Sequence, residues 1–153
     1  MTASSRLAPL LGTLLALAGC GGSSTSAGEY REQADAICTA ATREAAEVTP
    51  PSDDAASVAE YGDAVAAIRE RETVALDELA PPGQLEAAHR QLVNASGAIV
   101  RSLNDLARAA EREDRAAAAA AASMGDRAGD QARRAAAELE LPTCGQPGQA
   151  SSQ

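Results

Sequence analysis

The sequence predicts an all-α protein, an up-down-up-down four-helix bundle closed by one disulfide bond. Residues that favour helices, above all alanine, dominate the 153 residues. Strand-forming runs of β-branched or aromatic residues are scarce, and Tyr30 and Tyr61 are the only members of the Phe, Trp and Tyr group. Four segments repeat apolar residues every three or four positions, with proline or glycine between most of them. Short connections between such helices favour antiparallel neighbours.

The first two helices are bounded by proline pairs. The first is predicted from about Glu29 to Val48, because Pro50-Pro51 cannot continue it. Ser52 is the expected N-cap of the second helix, and Asp53-Asp54 follow where the helix dipole favours anions. The second helix is expected to end at Pro81-Pro82-Gly83.

The third and fourth helices differ in the side chains that they offer to a core. The third repeats large apolar residues at intervals of seven, with smaller ones between them, as in a coiled coil: Leu85, Leu92, Ile99 and Leu106, with Ala88, Ala95, Leu103 and Ala110. The fourth begins near Asp114, a plausible cap, and runs to Leu141 before Pro142. Gly125 and Gly129 predict a kink or break in its middle.

The amino-terminal segment has the three parts of an export signal. Arg6 is positively charged, and residues 7–18 are apolar but shorter than the ~20 residues of a membrane-spanning helix. Leu17-Ala18-Gly19-Cys20 resembles the lipobox of bacterial lipoproteins. The resemblance implies that the thiol of Cys20 receives a diacylglyceryl group and that residues 1–19 are removed as a signal peptide. Two acyl chains give a stable membrane anchor, whereas one binds only marginally.

These boundaries divide the chain into four parts. Residues 1–19 are the predicted signal peptide, and residues 20–28 a lipidated flexible linker rich in glycine and serine. Residues 29–144 form the helical domain, and residues 145–153 are predicted to be a disordered tail. The expected location is the outer face of the bacterial cytoplasmic membrane.

With Cys20 acylated, Cys38 and Cys144 remain as a pair. An exported protein meets an oxidising compartment, so the pair predicts a disulfide, with Pro142 to Cys144 folding back along the first helix. A redox-active pair and two thiolate metal ligands are the alternatives. There is no Cys-x-x-Cys spacing, and two thiolates are too few for a tetrahedral zinc site.

Two short motifs flank this domain. Tyr30, Ala34, Asp35, Ile37 and Cys38 open it, and Leu141, Cys144 and Gly145 close it. This arrangement resembles a class of alanine-rich helical lipoproteins and secreted proteins of actinobacterial type. The resemblance covers most of the chain after Cys20. It supports the fold and the disulfide and implies no activity.

Charge and composition exclude several classes of function. A net charge of −9 argues against a nucleic-acid partner and against electrostatic adhesion to anionic lipid. His89 is the only histidine and lysine is absent, so the common nucleophilic and multi-histidine metal sites are incomplete. His89 itself is expected to be a half-exposed helix residue. No catalytic residue, metal ligand or cofactor is predicted, and an enzyme would require Tyr30 or Tyr61 to share a cleft with His89 and carboxylates.

Two functions remain open. The leading hypothesis is a non-enzymatic, lipid-anchored envelope protein that acts through protein contacts or as a structural module. The alternative is a carrier for a small or lipidic ligand held between splayed helices, which Gly97, Gly125 and Gly129 would permit. A closed interior favours the first hypothesis, and a cavity of several hundred Å³ favours the second.

Overall fold

The computed structural model describes residues 25–145 and contains four α-helices within them. The helices are α1 (Ala27–Ala46), α2 (Ala55–Asp77), α3 (Glu86–Glu111) and α4 (Arg115–Leu139), and a single 3-10 turn, Gly83–Leu85, precedes α3. The all-α prediction is confirmed, and the helices alternate in direction. Cys20, the signal peptide and residues 146–153 lie outside the described residues.

Side-chain caps fix where α1 and α2 begin. Ser26 and Glu29 form a reciprocal capping box: the Glu29 amide donates to Ser26 Oγ at 3.2 Å, and the Ser26 amide donates to Glu29 Oε2 at 2.9 Å. The helix therefore begins at Ala27, and the last two residues of the predicted linker belong to it. The N-cap of α2 is Asp54, not Ser52, because Asp54 accepts from the Ser57 amide while the Ser52 hydroxyl donates to Asp54. These bonds hold the pKa of Asp54 below its usual value.

Large side chains fill one half of the bundle, called here the lower half, where α1 and α3 begin and α2 and α4 end. Its most deeply buried members are Tyr30, Cys38, Leu76, Leu92 and Leu139. Every member of the predicted seam of α3 that lies in this half is buried. Closer to the α3–α4 turn its three larger members, Ile99, Leu103 and Leu106, are half-buried, and smaller residues, Ser102, Ala107 and Ala109, take the buried positions.

The disulfide between Cys38 and Cys144 is present, with 5.0 Å between the two Cα atoms. After α4 the chain turns back between α1 and α4, where the Thr143 amide donates to Asp35 Oδ1 at 3.1 Å. Gly145 lies against the backbone of α4 at a φ of 73°, and a Cβ there would be 2.8 Å from the Arg133 nitrogen. The predicted fold-back along α1 is confirmed, and only glycine fits at its last described residue.

The sequence predicted a kink or break in α4, and the break is wrong, because the helix is continuous through Gly125 and Gly129. Gly125 instead lets α4 approach α3 closely: a Cβ at this position would be 2.9 Å from Ser102 Oγ. Gly62 does the same for α2, where a Cβ would be 3.2 Å from the Ala107 Cβ. Consistent with these close approaches, α3 makes its most extensive contacts with α4 and α2.

Glycine at a close helix contact and glycine at an open helix position should respond differently to substitution by alanine. Gly125→Ala is expected to lower the free energy of unfolding by about 1–3 kcal/mol, because the added methyl displaces Ser102 from its hydrogen bond to the Ile99 carbonyl. Gly97→Ala is the matched control, since the nearest atom to its Cβ would be Arg101 Nη1 at 3.6 Å. It should raise stability by ~0.5–1 kcal/mol through helix propensity. Denaturant unfolding measures both, and equal stabilisation by the two variants would contradict the close approach.

Candidate functional site

A cavity of about 660 Å³ lies among the helices, beginning at mid-bundle and extending into the upper half, away from the large side chains of the lower half. Its apolar wall is formed mainly by half-buried or buried side chains of α2 and α3: Tyr61, Val65, Ile99, Leu103 and Leu106. From α4 it receives only alanine, glycine, aspartate and arginine. Alanine and glycine side chains fill little space. The part of α4 that lines the cavity therefore leaves a volume that leucine side chains occupy in the lower half.

An ion pair is buried at the lower end of this wall. Arg69 Nη1 donates to Glu72 Oε2 at 2.8 Å, and the two side chains are 11% and 5% exposed. Burial raises the pKa of Glu72, and the charge of Arg69 opposes this shift only in part. Within the described residues, the only hydrogen bond to the Glu72 carboxylate is this one, so Oε1 lacks a donor.

Ser96 provides a second polar group of this cavity. It belongs to α3 and lines the same cavity as Glu72 of α2. Ser96 is 8% exposed and makes no hydrogen bond to any described residue through its side chain. The cavity therefore has an apolar body and one end with unused hydrogen-bonding capacity.

The rim of the cavity is formed by exposed residues of α4. Asp130 pairs with Arg133, while Asp126 has no ion pair within the described residues. Both arginines of the lining, Arg69 and Arg133, thus have a carboxylate partner from the same lining. Asp126 remains as an excess negative charge.

The residues considered for catalysis lie elsewhere. Tyr30 Oη and His89 Nδ1 are 3.0 Å apart, and their rings meet edge to face with centroids 5.7 Å apart. Both residues are buried in the lower half and line neither described cavity, so the prediction of a half-exposed His89 is wrong. Burial lowers the pKa of His89, against an opposing effect of Asp77, and raises the pKa of Tyr30. The pair satisfies two polar groups inside a packed core.

A second depression, of about 610 Å³, is open and shallow, and lies where α4 meets the returning chain from Leu141 to Cys144. Residues 25–145 contain no cluster of three or more histidine, cysteine, aspartate or glutamate side chains that could hold a metal ion. In the same part of the chain, no helix is both long and apolar enough to cross a membrane.

Comparison with known protein families, curated proteins and solved structures gives no match to this chain. Function is therefore inferred from the cavity itself.

The sequence reasoning did not single out Arg69, Glu72 or Ser96. A signal was present, because Glu72 interrupts the apolar stripe of α2 between Ile68 and Leu76, at a position where a leucine would be expected. A charged residue at a buried helical position is costly without a partner, so it indicates either an ion pair or a ligand site.

Proposed function

We propose that this protein is an exported, lipid-anchored binding protein whose helical domain holds a small ligand in the cavity. The observation that carries the proposal is the cavity of about 660 Å³ with the Arg69–Glu72 pair and Ser96 at one end. Ligand pockets in proteins commonly measure ~300–1,000 Å³ and combine apolar walls with a few convergent polar groups. The cavity favours the carrier hypothesis over a module that acts through protein contacts alone.

The anchor complements this function. Lipidation of Cys20 would tether the helical domain through its short linker to the outer face of the membrane. A carrier could take up or deliver a ligand there. Binding would need no chemical step, in keeping with the few candidate catalytic residues of the chain.

Dye binding tests the proposal. The full chain carrying Cys20→Ala, purified without detergent, is titrated with Nile red, a neutral dye whose fluorescence rises in apolar surroundings. We expect saturable binding with one site per chain. Leu103→Trp should weaken binding about tenfold or more, because the larger indole would occupy cavity volume next to the apolar wall to which Leu103 belongs.

Val74→Trp is the matched control, since Val74 lies on the surface of α2 at 54% exposure and does not line the cavity. It should bind the dye as the parent chain does. Circular dichroism establishes that both variants remain folded. Equal binding by the two variants, or no saturable binding by the parent chain, would rule out the cavity as the ligand site.

A further inference from the structure

We propose that the ligand is an amphipathic amine, with its ammonium group bound between Glu72 and Ser96 and its apolar part along α2 and α3. The inference rests on the proposed binding function and names the class of molecule bound. It depends on three features of the cavity: acceptors that no described residue occupies, the balance of charge of the lining, and the length of the apolar wall.

The polar end of the cavity offers acceptors. Glu72 is buried and receives one hydrogen bond, from Arg69 to Oε2, which leaves Oε1 to accept another. The Ser96 hydroxyl, on the facing helix, has no partner among the described residues. An ammonium group has three donors and no acceptor, so it can donate to more than one acceptor of this lining. Hydrogen bonds between charged partners are roughly twice as strong as neutral ones.

The charge of the lining favours a cation over an anion. Arg69 and Arg133 are each paired with a carboxylate of the same lining, and Asp126 at the rim is unpaired. An anionic head group bound to the remaining N–H donors of either arginine would lie beside the carboxylate that already pairs with it. A cation would neutralise the excess charge, and the chain as a whole carries a net charge of −9, which attracts cations.

The apolar wall sets the size of the remaining part of the ligand. The stretch of α2 from Glu72 to Tyr61 is about 16 Å long at a rise of ~1.5 Å per residue. Val65 lies between these two residues on the cavity side, and α3 contributes Leu103 and Leu106 at the far end. An extended decyl chain fits within this length when its head group lies at Glu72.

A head-group series tests the inference. Decylamine, decanol and decanoate, kept below micelle-forming concentrations, compete with Nile red for the full chain carrying Cys20→Ala. We expect decylamine to bind about tenfold more tightly than decanol, and decanoate to bind most weakly. Glu72→Gln should abolish most of the preference for the amine over the alcohol. Glu70→Gln, an exposed position on the same helix, should preserve it.

The outcomes separate the two proposals. If neither Nile red nor any decyl compound binds, the proposed function fails. If all three decyl compounds bind equally, or decanoate binds best, the ammonium inference is overturned while the binding function stands. Should Glu72→Gln fail to fold, Ser96→Ala provides the second test, with an expected loss of several-fold in decylamine affinity and an unchanged affinity overturning the assignment.

Discussion

Replacing Cys38 and Cys144 together with alanine is expected to lower the free energy of unfolding by about 4–5 kcal/mol. The disulfide joins residues separated by 106 positions, and closing a loop of that size removes much of the conformational entropy of the unfolded chain. A loss of this size corresponds to a fall in Tm of more than about 10 °C for a domain of this length. The effect should be large because this bond holds α1 to the returning chain after α4.

Thermal unfolding with and without a reducing agent measures this loss. The reduced parent chain should unfold close to the double alanine variant, and the reducing agent should leave the variant unchanged. Non-reducing peptide mass spectrometry should recover Cys38 linked to Cys144. Two free thiols in the protein purified without reducing agent, or a variant that melts with the parent chain, would contradict the role of the disulfide.

Cys20→Ala is expected to move the protein from the membrane fraction to the soluble fraction of cells that export it. The physical reason is the loss of the only proposed anchor, since two acyl chains provide binding at ~0.8 kcal/mol per buried methylene. Fractionation followed by immunoblotting measures the change, and intact-mass analysis of the wild-type protein detects the lipid. Ser23→Ala, three residues on, is the matched control and should stay with the membrane. Retention of the Cys20→Ala variant in the membrane fraction would refute the anchor.

Local chemistry made much of the fold predictable. The apolar periodicity, the proline pairs and the Asp114 cap place the four helices to within a few residues, and the Asp114 side chain does accept from the Ala117 amide. The disulfide was predictable because the predicted export signal and the direction of the chain after α4 both favour it. The turn between α3 and α4 has no glycine or proline, and Glu113 adopts the left-handed conformation there at a φ of 53°.

The wrong predictions, for Gly125 and His89, concern residues whose role depends on how the helices pack. Glycine weakens an isolated helix, which predicted a break at Gly125, yet the same missing side chain allows α4 to approach Ser102. Histidine at a helix surface is ordinarily half-exposed, but the hydrogen bond with Tyr30 offsets the cost of burying the His89 ring. In both cases the deciding atom lies on another helix, beyond the reach of local sequence patterns.

The cavity was unpredictable for a related reason. Periodicity identifies which face of α3 points inward, but the volume that remains depends on how closely the four helices approach one another. The seven-residue repeat predicted a filled seam through Ile99 and Leu106, whereas alanine and glycine on α4 leave these residues without large partners. Glu72 carried the clearest sequence signal of the site, as a charge within an apolar stripe.

Nuclear magnetic resonance of the full chain carrying Cys20→Ala tests most directly whether the cavity binds a ligand. Amide spectra are recorded during titration with decylamine and mapped onto the structure. The predicted result is a saturable shift of amides lining the cavity, with Glu72, Ser96 and Gly125 among them, while Tyr30 in the packed lower half stays unchanged. Shifts confined to exposed apolar residues such as Met124, or no saturable shift, would contradict ligand binding in the cavity.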